Sequence, residues 1–207
     1  MISVIGMGPG DERLISVAAQ QLIESADILV GWRRLLSQFE HHPAQKYQMG
    51  VDIDATLQWL REQNQSLDKH TPNIVVLASG DPMLFGIGKR IAEAFAPEER
   101  QIVPGISSVQ TLFSAVGIDM NDVYITSSHG KQPNFDFIFL HDKVALVTDK
   151  KIGPYQIAQQ LIQRGLHRTL IIGENLGYPQ QQISVLAPEQ VQAEYEMNVV
   201  VILNERQ

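Results

Sequence analysis

The chain has 207 residues, 16 of them Lys or Arg and 23 Asp or Glu, for a formal net charge of −7; apolar residues make up 44%. This composition packs a core and sits far from that of a disordered chain. Cysteine is absent, which excludes a disulfide framework, a thiolate zinc site, an iron–sulfur cluster and a cysteine nucleophile, and leads us to expect a reducing, cytoplasmic setting. The acidic balance argues against a nucleic-acid partner. Purely apolar runs such as Ile74–Ala78 and Val199–Leu203 fall well short of the ~20 residues of a membrane helix, so no membrane partner is expected. The start, Met1-Ile-Ser-Val-Ile-Gly6, lacks the basic flank of a signal peptide.

In chain order, Ile2–Gly6 reads as a buried strand that breaks at glycines, and Glu12–Glu24 as a helix with an apolar stripe at Leu14, Val17, Ala18, Leu22 and Ile23. Asp27–Val30 predicts a strand, Arg33–Phe39 a short helix, Asp52–Gln65 a helix and Asn73–Ala78 the clearest strand of the first half. Met83–Phe95 predicts a helix closed by Pro97, Gln101–Val103 a strand, and Ser107–Val116 a helix ended by Gly117. A second set of strands is expected at Val123–Thr126, Val144–Val147, Thr169–Gly173, Ile183–Leu186 and Asn198–Leu203, with a helix over Pro154–Arg164. This alternation implies α/β layers. The division into an N-terminal α/β domain, 1–117, and a C-terminal one, 118–207, is placed at Gly117–Asp122; the second domain reads as the more strand-rich.

Three glycine-bearing loops each follow a predicted strand. The first is Gly6-Met-Gly-Pro-Gly-Asp11. It is not a dinucleotide fingerprint: Asp11 stands where the third glycine belongs and Pro9 removes a backbone donor, so a nicotinamide oxidoreductase is disfavoured. Read plainly, it is a tight strand-to-helix turn with Asp11 near the positive helix start. The second is Ser79-Gly-Asp-Pro82, with Gly80 permitting close backbone approach and Pro82 at a predicted first helical position. Asp81 reads in two ways, as an N-cap or as a carboxylate accepting hydrogen bonds from a ligand. The third is Val103-Pro-Gly-Ile-Ser-Ser108; Ser107 can cap the helix that follows, and two hydroxyls at a helix start also suit a ligand carboxylate. Ligands in open α/β sheets lie beyond the carboxyl ends of strands, so the three loops are expected to converge on one cleft.

Gly6–Asp11, Ser79-Gly-Asp-Pro-Met-Leu-Phe-Gly86 and Pro104-Gly-Ile-Ser-Ser108 occur in this order and spacing in a way that resembles the tetrapyrrole methylases, over essentially the whole chain. Gly31-Trp-Arg-Arg-Leu-Leu36, Phe85-Gly-Ile-Gly88, Ile106-Ser-Ser-Val-Gln110 and Ser128-His-Gly-Lys131 are similar to the branch that methylates a precorrin at C-5. Glu12-Arg13 and Lys131 depart mildly from the family pattern. The resemblance implies two α/β domains with a cleft between them that takes S-adenosylmethionine. It further implies a precorrin substrate, a homodimer, and a separate functional partner for C-15 methylation and decarboxylation. The alternatives within the family are another ring position, diphthine or ribosomal RNA; outside catalysis, the alternative is a precorrin-binding subunit.

Carried over residue by residue, the resemblance implies cofactor contacts from Pro9, Ser79, Gly80, Asp81, Leu84, Ser107 and Ser108, and, in the second domain, from Thr148 and Leu176. Leu84 also reads as plain core and Thr148 as a strand end. Arg33, Arg34, Lys131 and Asp11 are candidates for the substrate side, the cations because arginine matches carboxylate geometry with a planar fork; a solvated surface pair is the plainer reading of Arg33 and Arg34. His129 is the candidate for moving a proton, with hydrogen bonding to substrate as its simpler role. No metal site is expected: His41-His-Pro43 lacks helical spacing, and His70, His141 and His167 read as surface. Trp32 and Trp59 read as core or a dimer contact.

Overall fold

The computed structural model describes residues 1–64, 72–130 and 132–204; Lys131 and His70 lie outside the described residues. The chain divides into two compact units, Met1–Ser107 and Ser108–Gln207, each described here by itself.

The first unit is a parallel sheet of β1 (Ile2–Gly6), β2 (Ile28–Gly31), β3 (Gln45–Gln48), β4 (Ile74–Ala78) and β5 (Arg100–Val103) in the order β3-β2-β4-β1-β5. Its longer helices are α1 (Val17–Glu24), α2 (Arg33–Leu36), α3 (Ile53–Asn64) and α4 (Gly88–Ala94). Helices on both faces bury the central strands, which is why β2 and β4 read as unbroken apolar runs and β1 is interrupted only by the buried Ser3. Alternation still assigns the faces. Ile2, Val4, Ile28, Val30, Ile74 and Val76 pack with Leu57 and Leu60 of α3 and Ile91 of α4. Ile5, Leu29, Val75 and Leu77 pack with Ala19 and Ile23 of α1 and Leu35 and Leu36 of α2. The chain leaves β1 toward β2 along the second face and leaves β4 toward β5 along the first. The adjacent pair β1 and β4 is therefore the point where strand order reverses, the place where open α/β sheets bind ligands.

The second unit contains α5 (Ser108–Val116), β6 (Tyr124–Ser127), α6 (Phe135–Ile138), β7 (Lys143–Val147), α7 (Pro154–Gln163), β8 (Thr169–Glu174), β9 (Gln182–Leu186) and β10 (Asn198–Leu203). Its sheet runs β6-β7-β10-β8-β9, parallel only between β6 and β7. Val144, Leu146, Leu170, Ile172, Val200 and Ile202 pack under Ile157, Ala158 and Leu161 of α7. Leu112 of α5 packs beside Gly173 from the other face.

Several expectations change on contact with the structure. The division falls between Ser107 and Ser108, where the sequence reading puts it after Gly117; α5 packs on β7 and β10 and goes with the second unit. The Glu12–Glu24 segment is a short 3-10 turn, Glu12–Leu14, followed by α1, whose start is capped by Ser16 accepting from the Ala19 N–H at 3.2 Å. The helix expected from Met83 begins only at Gly88, so Pro82 is a turn residue and Asp81 is not an N-cap. Each described sheet has five strands; the second half reads as richer in sequence only because β3, the polar and mostly exposed edge strand Gln45–Gln48, carries no apolar pattern. Trp59 stacks on Tyr47 at 3.8 Å, whereas Trp32 is exposed. His141 is not an isolated surface histidine: it stacks on Tyr124 at 4.3 Å and meets the Phe137 ring edge-on at 5.1 Å.

Candidate active site

The three glycine loops meet at the carboxyl end of the first sheet. The loop after β1 and the loop after β4 are joined by a two-way backbone bridge: the Gly80 N–H donates to the Gly8 carbonyl at 2.8 Å, and the Gly8 N–H to the Gly80 carbonyl at 3.3 Å. Gly80 adopts φ +63°, in the left-handed region that glycine enters without a steric cost. The loop after β5 closes on both. A Cβ built on Gly105 would fall 2.3 Å from the Gly80 carbonyl oxygen and 2.7 Å from Gly6 Cα, and one built on Gly6 only 2.4 Å from Gly105 Cα. The backbones touch where side chains would otherwise stand.

Asp81 locks this arrangement. One carboxylate oxygen accepts from the Met83 N–H at 2.7 Å, turning its own loop, and the other accepts from the Gly105 N–H at 3.1 Å, a charge-assisted tie between two loops. A carboxylate oxygen has room for a second donor, so these contacts leave Asp81 able to meet a ligand. Ser79 is exposed and receives a hydrogen bond from Arg34 Nη2 at 3.2 Å. Pro9 is buried, Leu84 half-buried, and Ser107, 4% exposed, directly precedes α5. Pro9, Ser79, Gly80, Asp81, Leu84 and Ser107 therefore belong to loops at one end of one sheet, with Arg33 and Arg34 leaving the same end of β2. Asp11 is engaged locally: it accepts from the Arg13 backbone and holds the Arg13 guanidinium at 2.6 Å. That hydrogen-bonded guanidinium keeps the Asp11 carboxyl below the usual carboxylate range.

The remaining candidates lie in the second unit. Ser108 opens α5. Thr148, just past β7, sets its hydroxyl 2.7 Å from the Asn198 side-chain oxygen and 2.9 Å from the Asn198 carbonyl. Leu176 is buried, 3% exposed, against Gly173. His129 is exposed, and its backbone N–H donates to the buried Ser127 hydroxyl at 3.0 Å. Among the described residues no cluster of three metal-binding side chains occurs, and no helix is long and apolar enough to cross a membrane.

Sequence reasoning passed over Asp149. Its carboxylate accepts from the N–H groups of Lys151 at 2.8 Å, Ile152 at 2.9 Å and Gly130 at 3.2 Å, so it pins the turn that carries His129 to the end of β7. The Ile152 N–H is the largest cause of its lowered pKa; Gly130, Lys151 and the nearby His129 act in the same direction, against desolvation. A carboxyl depressed in the folded state adds stability above its ordinary value, near 3.8, and loses it as pH falls through the lower folded value. Asp149→Asn should therefore flatten the acid limb of stability, measured as Tm between pH 5 and pH 2, while costing about 1 kcal/mol near neutrality through weakened hydrogen bonds. An acid limb parallel to that of the parent would remove Asp149 as its source.

The family described as Tetrapyrrole (Corrin/Porphyrin) Methylases matches residues 1–190. The chain belongs to the tetrapyrrole methylases. It is similar to the cobalt-precorrin-7 C(5)-methyltransferase of Salmonella typhimurium, 46% identical over 207 residues and covering 100% of both chains. Among solved structures it resembles the methyltransferase CobJ, with TM-score 0.79 and 21% identity over 100% of this chain and 95% of that one. It also resembles the uroporphyrin-III C-methyl transferase of Thermus thermophilus complexed with S-adenyl homocysteine, with TM-score 0.75 and 20% identity over 98% of this chain and 91% of that one. At these identities the two structures speak for the tetrapyrrole methylase fold alone.

Proposed function

We propose that this chain is an S-adenosylmethionine-dependent C-methyltransferase that methylates C-5 of cobalt-precorrin-7 in cobalamin biosynthesis. The observation that carries the methyl-donor part is the backbone-to-backbone meeting of Gly6, Gly80 and Gly105 at the strand-order switch point. Loops without side chains there suit a ligand gripped by main-chain groups. The substrate follows from the full-length Salmonella relative.

In this reading Pro9, Ser79, Gly80, Asp81, Leu84, Ser107, Ser108, Thr148 and Leu176 hold S-adenosylmethionine in a cleft between an N-terminal and a C-terminal domain, with the Asp81 carboxylate taking the ligand's amine or hydroxyl hydrogens. The donor supplies an electrophilic methyl on a sulfonium, and the ring carbon is the nucleophile, so the absence of cysteine costs the chemistry nothing. The protein's part is alignment and exclusion of water, and alignment is worth up to ~7–11 kcal/mol when reactants are well oriented. Arg33, Arg34 and Lys131 gather the ring's carboxylates in an otherwise acidic protein. His129 hydrogen-bonds the substrate and accepts at its imidazole nitrogen any proton released from the ring. The enzyme works as a cytoplasmic homodimer, beside a separate partner for the C-15 chemistry.

The test is incubation with cobalt-precorrin-7 and S-adenosylmethionine, followed by mass spectrometry. A product heavier by one methyl group, with the new carbon assigned to C-5 by NMR, is the expected result; no methylated product refutes the reading. Arg33→Ala should raise KM for the tetrapyrrole about tenfold, the scale of a charge-assisted hydrogen bond, and leave affinity for S-adenosylhomocysteine unchanged. Equal KM values would take Arg33 out of the substrate site.

A further inference from the structure

We propose that Phe85 is a platform for the broad apolar face of the tetrapyrrole ring, a role that rests on the functional reading above. Phe85 has φ +56°. For a bulky side chain this left-handed conformation is strained, and such strain persists only where the surroundings impose it. Here they do. The Met83 N–H is held by the Asp81 carboxylate at 2.7 Å, the Leu84 N–H reaches the Asp81 carbonyl at 3.3 Å, and the Gly88 N–H donates to the Pro82 carbonyl at 2.9 Å. Cβ atoms built on Gly86 or Gly88 would each lie 2.6 Å from that same Pro82 oxygen. The segment is thus coiled tightly over Pro82, and Phe85 is the residue it forces outward.

The strain gains nothing inside the unit. Phe85 belongs to neither core of the first unit and is 48% exposed. It keeps company with other exposed apolar side chains at the same sheet end: Met83 beside it, Ile106 on the loop after β5 and Trp32 after β2. Arg33 and Arg34 follow Trp32 directly. Apolar rings and methyls bordered by two arginines, in a chain of net charge −7, complement a wide apolar macrocycle rimmed with carboxylates. A second copy fits less well, because a two-fold contact centred on this patch would bring four arginines into one interface without carboxylates from the patch to meet them.

The experiment uses Phe85→Asn, since asparagine enters the left-handed region readily, and Phe85→Trp, which keeps an aromatic face. Four quantities are measured for the parent and both variants: KM and kcat for cobalt-precorrin-7, affinity for S-adenosylhomocysteine, Tm and sedimentation behaviour. We expect Phe85→Asn to raise KM for the tetrapyrrole about tenfold, the scale of one lost aromatic stacking contact, with S-adenosylhomocysteine affinity, Tm and sedimentation held or Tm raised. Phe85→Trp should keep KM near the parent's. An unchanged KM in Phe85→Asn overturns the proposal. So does a fall in Tm with both affinities lost together, which marks a packing residue, or a changed sedimentation coefficient, which marks a contact between copies. A parent that binds S-adenosylhomocysteine yet leaves cobalt-precorrin-7 unmethylated refutes the functional reading itself, a result distinct from any variant-to-parent ratio.

Discussion

Gly105→Ala should abolish binding of S-adenosylhomocysteine and cost about 3 kcal/mol of stability, the upper part of the range for overpacking. The added methyl meets the Gly80 carbonyl at 2.3 Å and the Gly6 backbone at 2.7 Å. Both obstacles are main chain, at the ends of two neighbouring buried strands, so no side chain can swing away to relieve the clash. At about 2–4 °C per kcal/mol for a protein of this length, Tm should fall by about 6–12 °C. Gly50→Ala is the matched control. Nothing lies within 4 Å of its Cβ position, and alanine there should be neutral or stabilising by a few tenths of a kcal/mol through the unfolded chain. Calorimetric titration beside thermal melting of the two variants decides the matter. If Gly105→Ala binds S-adenosylhomocysteine like the parent, the meeting of the three loops is not where the methyl donor is held.

Removing the Asp81 carboxylate should produce the next largest effect. Asp81→Ala leaves the Met83 and Gly105 N–H groups without their acceptor and frees the loop after β5 from the loop after β4. Hydrogen bonds to a charged group contribute roughly 1.5–3 kcal/mol, less where water competes, so affinity for S-adenosylhomocysteine should fall about 10–100-fold. Asp81→Asn separates turn from tie. Its amide oxygen can still accept from Met83, but its NH2 then confronts the Gly105 N–H, donor against donor. We expect Asn to keep most of the stability lost in Ala while losing most of the affinity. Asn binding as tightly as Asp would assign Asp81 to the turn alone.

The strands of the first unit are legible where burial on both faces leaves unbroken apolar runs, as in Ile74–Ala78. The edge strand Gln45–Gln48 is not, because three of its four residues are exposed and nothing in Gln-Lys-Tyr-Gln alternates. The Met83–Phe95 stretch carries helically spaced apolar residues, yet the chain first coils over Pro82, where Gly86 and Gly88 fit and a side chain would not. Sequence showed the glycine loops and their order; it could not show that they touch, since that depends on β1 lying between β4 and β5. The same applies to Arg34 reaching Ser79 across 45 positions, and to Asp149, whose partners are backbone N–H groups that leave no mark in the residue pattern.

The strand order also dictates when each sheet can come into being. β1 is synthesised well before β4 and β5, the two strands it pairs with, so both edges of this strand stay unpaired until the chain has grown past Ala78 and then Val103. In the second sheet β10 is the sole bridge between β7 and β8. Until it is synthesised, that unit consists of two separate two-stranded ribbons, each marginal in water. Each sheet takes a later strand between earlier ones, β4 between β2 and β1 in the first and β10 between β7 and β8 in the second, a topology of distant pairings that folds slowly and prolongs the exposure of apolar strand residues during translation.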